Sequence, residues 1–290
     1  MTSFKYKFSY SFLFISLSAL HSSLQAADVI INQQYSSSAS TISIKQAQQD
    51  NSGVKSVIEI YQQQSESNDV IALQQGGSGT QAHIIQNGLA NRVLSEQYNS
   101  NNSLLSLNQL GSNNRIVNNQ SEGTENSQAD IDQDGRNGSI LLSQLAATNS
   151  KIKIGQLGNN NLTEVLQRYT DNSDISIDTQ GDNNTAKIEQ YNSRSNVTTV
   201  DIVGNNNIAN IIQGSEYDNS VNNTLEYRVN GDGNSAQLEQ YGYDHVIDLI
   251  QRGDANQAIV KQYDVGNQAQ LIQDGTGGIV NICQGAVCDQ

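Results

Sequence analysis

The chain contains no proline and no tryptophan, and its four phenylalanines (Phe4, Phe8, Phe12 and Phe14) all fall in the first fourteen residues. A core built from the rest must be aliphatic. Proline removes a ladder donor and is kept out of central strands, and disordered linkers are usually rich in it. Its absence from 290 residues therefore favours continuous β-pairing over disorder. Basic charge is also scarce, with 15 Lys and Arg against 29 Asp and Glu. That balance argues against a partner with a phosphate backbone or an anionic lipid surface. The longest apolar run, Tyr10 to Leu20, falls short of the roughly 20 residues a spanning helix needs, so no membrane span is expected.

That run has the marks of an export signal: Lys5 and Lys7 precede it, and the small residues Ser22, Ser23, Ala26 and Ala27 follow. Residues 1–26 are read as the signal, with cleavage after Ala26, and the mature chain as secreted. Removing the signal leaves 13 basic residues against 29 acidic ones, a net charge of −16 that slows self-association at low salt.

The chain is rich in amides, with 34 Gln and 36 Asn. Such a bias marks either polar disorder or β-stacking, and the spacing decides for stacking. Aligned on Gln-x-Gly, first strands end at Gln86, Gln109, Gln133, Gln156, Thr179, Ile202, Val229, Gln251 and Gln273, at intervals of 22 to 27 residues. Two residues after each stands a glycine: Gly88, Gly111, Gly135, Gly158, Gly181, Gly204, Gly231, Gly253 and Gly275. Five residues after most of them stands Asn91, Asn114, Asn161, Asn184, Asn207, Asn234 or Asn256. Eleven residues after every one comes a second glutamine: Gln97, Gln120, Gln144, Gln167, Gln190, Gln213, Gln240, Gln262 and Gln284. A degenerate tenth unit precedes these, with Gln63, Asn68, Val70 and Gln74 in the expected places and Ser65 where glycine should be. A fixed period in this range signals a solenoid.

Within each unit the side-chain period is two, as in Ile152, Ile154, Gln156 or Ala186, Ile188, Gln190. Each unit is therefore a strand-turn-strand rung, with the glycine supplying the positive φ of a tight turn. Burying about four aliphatics at roughly 1.5–3 kcal/mol each does not balance an ordering cost of about 1–2 kcal/mol per residue. Stacking must supply the difference, through strand pairing and through Gln and Asn ladders at about 4.8 Å spacing. The expected fold is an all-β β-solenoid of about ten rungs in two parallel stacked sheets over 57–284. An irregular or export segment (27–56) precedes it and a short tail (285–290) follows. End rungs repeat the interior motif and leave their strands unpaired, so a monomer complements itself.

The pattern Ser-x5-Gln-x-Gly-x2-Asn-x-Ala-x3-Gln, near-complete at Ser127 to Gln144, Ser150 to Gln167 and Ser173 to Gln190, resembles the curlin repeat of bacterial curli fibres. The resemblance covers roughly Val57 to Gln284. It implies a non-enzymatic structural subunit that passes an outer-membrane secretion apparatus, meets another curlin subunit and polymerises into extracellular amyloid for adhesion and biofilm matrix. It also implies an export-targeting role for Ile30, Ile31, Asn32 and Gln33, against which stands the plainer reading of an irregular first rung. The chain departs from the family pattern in having about ten rungs where familiar members have five. It also lacks the glutamine at Thr179, Ile202 and Val229, where an aliphatic stack is expected instead.

The alternative from another class is a monomeric secreted β-solenoid that binds a glycan or calcium. Asp182, Asp232, Asp254 and Asp274 recur in turns, but calcium-binding rolls repeat every nine residues and the half-repeat here is eleven or twelve. Catalytic groups do not cluster: His83 falls on an outward position and His245 stands where other rungs have Ser or Asn. No cofactor is implied. The only cysteines, Cys283 and Cys288, are expected to pair in an oxidising compartment, as a clip over the end of the stack, as a local staple of the tail, or between molecules.

Overall fold

The computed structural model describes residues 4–9, 14–19, 28–34, 40–47 and 56–289. Two compact units divide the chain, Met1–Ala146 and Ala147–Gln290. The first carries β1 (Phe4–Ser9), β2 (Phe14–Ala19), β3 (Asp28–Gln34), β4 (Thr41–Ala47), β5 (Val57–Glu66), β6 (Asp69–Gln75), β7 (Gln81–Leu89), β8 (Arg92–Tyr98), β9 (Leu104–Ser112), β10 (Arg115–Ser121), β11 (Gln128–Arg136) and β12 (Ser139–Leu145). Odd strands stack in parallel as one sheet and even strands as a second. The rungs at 57–145 keep strict register: Ile60, Ile84, Leu107 and Ile131 form one buried column, and Val70, Val93, Ile116 and Ile140 another.

The second unit contains β13 (Lys151–Asn159), β14 (Leu162–Arg168), β15 (Asp174–Gln180), β16 (Thr185–Tyr191), β17 (Ser193–Arg194), β18 (Val197–Val203), β19 (Ile208–Gln213), β20 (Ser220–Val221), β21 (Thr224–Asn230), β22 (Ser235–Gln240), β23 (Gly242–Tyr243), β24 (Val246–Arg252), β25 (Gln257–Gln262), β26 (Gln268–Asp274) and β27 (Ile279–Gln284). Its two main parallel sheets follow the same alternation, and β17, β20 and β23 add a narrow third sheet along one row of arcs. A 3₁₀ turn, Ala286–Asp289, follows β27. Each unit is thus an all-β solenoid with two large parallel sheets, and of the ten rungs in 57–284 the first unit holds four and the second six.

One detail differs from the sequence reading. The ladder residue of the first repeat is Gln62 and not Gln63: Gln62 is fully buried opposite Gln86, while Gln63 is exposed. The arc before Asn68 is one residue longer than in later rungs, and an irregularity between Gln63 and Glu66 absorbs it. Pairing also extends below 57. Strand β3 sets Gln33 opposite Gln62, and β4 sets Gln46 opposite Gln74, so these two strands form a further, irregular rung whose Ile31, Ile42 and Ile44 are buried. Strands β1 and β2, inside the segment read as the signal, pair with β3 and β4. The cleavage point after Ala26 lies outside the described residues.

One core position breaks the pattern. Asn118 is fully buried between Ser95 and Leu142 in its column, and neither its Oδ1 nor its Nδ2 has a hydrogen-bond partner. An unsatisfied buried amide costs about 1–3 kcal/mol, and Leu142 shows that this column accommodates leucine. Asn118→Leu is expected to stabilise the chain by about that amount, read as a higher urea midpoint at unchanged slope.

Candidate functional site: the stacked amide ladders

Because the side-chain period is two, the glutamine ending each strand points inward and meets its copy about 4.8 Å away on the next rung. In the first unit the first-strand ladder joins Gln62 to Gln86, Gln86 to Gln109 and Gln109 to Gln133, each at 2.9 Å. The second-strand ladder joins Gln46, Gln74, Gln97, Gln120 and Gln144 at 2.7–2.9 Å. In the second unit Gln167, Gln190, Gln213, Gln240, Gln262 and Gln284 continue the same arrangement at 2.8–3.1 Å. Every one of these bonds has the same sense: Nε2 donates to Oε1 of the following rung. The other Nε2 proton commonly goes to the backbone carbonyl that opens a strand of the opposite sheet, as from Gln97 to Gln81 and from Gln251 to Ser235.

The turns carry a second ladder. Each asparagine accepts at Oδ1 the backbone N–H of its counterpart one rung on, as in Asn91 to Asn68, Asn114 to Asn91, Asn184 to Asn161, Asn207 to Asn184, Asn234 to Asn207 and Asn256 to Asn234. Its Nδ2 donates to the carbonyl of the next rung's turn glycine, at 2.6–3.1 Å from Asn68 to Gly88 through Asn256 to Gly275. Glycine is needed there for two reasons. Its φ lies between +91° and +140° in most of these turns, and a Cβ on Gly88, Gly111, Gly158, Gly181, Gly204, Gly231 or Gly253 would fall under 3.0 Å from the next glycine's carbonyl. Spacing in the sequence showed the residues of this ladder but not the reciprocal bond that couples Gly to Asn.

The turn acids have a place in the stack. Oδ1 of Asp182, Asn205, Asp232 and Asp254 each accepts the backbone N–H of the equivalent residue one rung earlier, at 2.7–2.9 Å. Asp274 instead lies 3.5 Å from Arg252. Among the described residues no group of three or more His, Cys, Asp or Glu side chains is arranged to hold a metal ion. His245 is fully buried and substitutes for asparagine in a parallel ladder: its N–H donates to Asn223, its Nδ1 accepts from the Asn267 N–H, and Nε2 lies 3.0 Å from the Tyr241 carbonyl. These partners fix the tautomer with the proton on Nε2. His83 is outward, 3.1 Å from Glu59.

No family model matches the chain, and no curated protein matches it.

Where glutamine is missing, Thr179, Ile202 and Val229 stack in register and are buried; Ile202 and Val229 make the aliphatic contact, and the Thr179 hydroxyl is left without a partner among the described residues. Tyr227 repairs the ladder above it. Its hydroxyl donates to Gln251 Oε1 at 2.6 Å, in place of the amide that Val229 lacks. Burial raises its pKa far above the ordinary tyrosine range, so the hydroxyl keeps its proton. Nothing in the repeat spacing flagged this residue; the signal was its place as the one tyrosine at an inward position of these strands.

At the last rung, Gln273 and Gln284 donate to the Gln257 and Gln268 carbonyls, and among the described residues no amide accepts the second Nε2 proton of either. Inward Val280 and Ile282 are half-buried, whereas Ala258 and Val260 one rung earlier are buried. Cys283 faces outward and is disulfide-bonded to Cys288, with a Cα–Cα distance of 5.6 Å. The Ala286 N–H donates to Asp264 on the preceding rung. The tail is therefore stapled back to the arc of that rung, and the inward positions of the last rung stay open.

Proposed function

We propose that this protein is a secreted structural subunit that self-assembles into curli-like amyloid fibres at the cell surface, as bulk subunit or nucleator. On this reading its partners are other copies of itself, a related curlin subunit and the outer-membrane apparatus that exports it. The observation that carries the reading is the directional, unfinished ladder. The Gln-to-Gln bonds of the ladders all donate towards the C-terminal rung, and that rung still presents unmatched Nε2–H groups, an open apolar layer and the unpaired outer edges of strands β26 and β27. A rung bearing Gln Oε1 acceptors, such as the one that includes Gln46, complements it head to tail. Unpaired edges with a matching template are the standard route to cross-β growth.

The test is to incubate purified mature chain and follow thioflavin fluorescence and electron microscopy; a persistently soluble monomer overturns the proposal. Within it, Gln251→Ala together with Gln273→Ala is expected to lengthen the lag. Each lost amide bond is worth only about 0.5–1.5 kcal/mol, but it is lost again in every subunit added. Unchanged kinetics at matched concentration would remove the ladder from the mechanism.

A further inference from the structure

The one large irregularity of the repeat lies at 202–229, where the interval is 27 residues instead of the usual 22 to 24. The extra residues project from the arc after β19 as an exposed turn, closed by Ser215 and Asp218 and carrying Tyr217, which is 92 % exposed. This turn is held in place: Asn192 Nδ2 donates to the Ser215 and Glu216 carbonyls, and Arg168 pairs with Glu216 at 3.0 Å. Insertions in a solenoid gather on one face, often the one that binds.

The same face, along β17, β20 and β23, holds a groove of about 370 Å³, within the range of small-ligand sites. Tyr169 and Tyr243 line it, about 51 % and 44 % exposed, together with Asp171, Asn192, Arg194 and Asn219. Tyr169 has φ +55°, at an arc position where the next rung has Asn192, also at positive φ. A bulky side chain at positive φ is uncommon and costs backbone strain; Arg168, 5.1 Å from the ring centre, backs the ring there. The fold keeps a strained aromatic facing solvent where asparagine or glycine would suit the backbone better.

We propose that this groove binds a short, uncharged oligosaccharide. Tyr169 and Tyr243 stand on arcs three rungs apart, about 14 Å at the strand spacing, a span that suits several linked sugar rings better than one. Their rings offer faces for the C–H surface of a sugar. The charged groups of the lining and its border are paired, Asp171 with Arg194 at 3.6 Å and Arg168 with Glu216, so no unpaired lining charge is there to select an anion or a cation. What is left is a set of side-chain donors and acceptors suited to hydroxyls: Asp171, Arg194, Asn219 and the Oδ1 of Asn192. The proposal holds whether or not the chain polymerises, because these residues lie outside both ladders.

The test is binding of the full mature chain, fresh and as fibres, to immobilised hexasaccharides of glucose, galactose, mannose and N-acetylglucosamine, with heparin and an unrelated peptide as controls. At least one neutral hexamer should be retained, and Tyr169→Ala with Tyr243→Ala should weaken it about tenfold or more. Tyr217→Ala, at the loop tip outside the groove, should not. Tyr169→Asn suits the positive φ and removes the ring, so it should lose binding while keeping the fold. Retention of none of the neutral hexamers, retention of heparin or peptide alone, or binding unaffected by loss of both rings overturns the proposal. Thioflavin kinetics on the same variants report the ladders separately.

Discussion

Alanine in place of Gly181 is expected to destabilise the chain by about 2–4 kcal/mol, the sum of backbone strain and a lost hydrogen bond. The φ of Gly181 is +119°, a region that side chains rarely enter, and its Cβ would fall under 3.0 Å from the Gly204 carbonyl. That carbonyl cannot simply retreat, because it accepts the Asn184 Nδ2–H at 2.7 Å. Relief of the clash therefore opens the asparagine ladder at the same rung. Gly123→Ala supplies the comparison: its φ is +81°, but a Cβ there meets nothing within 4 Å. It should show the backbone share alone. Urea unfolding of the two variants side by side measures the difference, and equal midpoints would mean that rung contact is not what selects glycine in these turns.

Much of this architecture was legible because stacking repeats each constraint at every rung. The alternation of Ile152, Ile154 and Gln156, the glycines and the second glutamines all report the same local geometry, so an error at one rung is corrected by the others. Residues that answer to a single place were not legible. Gln62 was missed because one extra residue before Asn68 shifted the count, and the irregularity in β5 that absorbs it leaves no mark in composition. The rung of β3 and β4 was read only as one of two alternatives, an irregular first rung or an export segment, because Gln33 and Gln46 stand thirteen residues apart instead of eleven and lack the Gly-x2-Asn turn between them. Tyr227 reads as an unremarkable strand residue until its hydroxyl is seen to reach across a rung to Gln251. The groove at Tyr169 depends on four successive arcs, which spacing places side by side but does not shape. The turn acids offered in sequence only a spacing unlike that of calcium-binding rolls, and the structure shows the Oδ1 atoms of Asp182, Asp232 and Asp254 accepting from the rung before.

Gly275→Ala should cost the single chain only the backbone strain of its positive φ and yet slow fibre growth about tenfold or more, the equivalent of at least 1.4 kcal/mol per added subunit. In the chain alone a Cβ on Gly275 meets nothing within 4 Å, because no described rung follows it. In the interior glycine turns at Gly181, Gly204, Gly231 and Gly253, the same atom would strike the carbonyl of the rung above. Glycine at the outermost turn is thus superfluous to contact within one molecule and required if a second molecule stacks on that face. Gly277→Ala is the matched control. It lies on the same rung at φ +72°, and its counterpart Gly233, with a rung above it, would place a Cβ no closer than 3.9 Å to Ala255. Both variants bear a backbone penalty, and only Gly275→Ala should obstruct an incoming rung. Seeded elongation, measured for both with wild-type seeds, separates them; equal rates would show that growth does not proceed over this end of the stack.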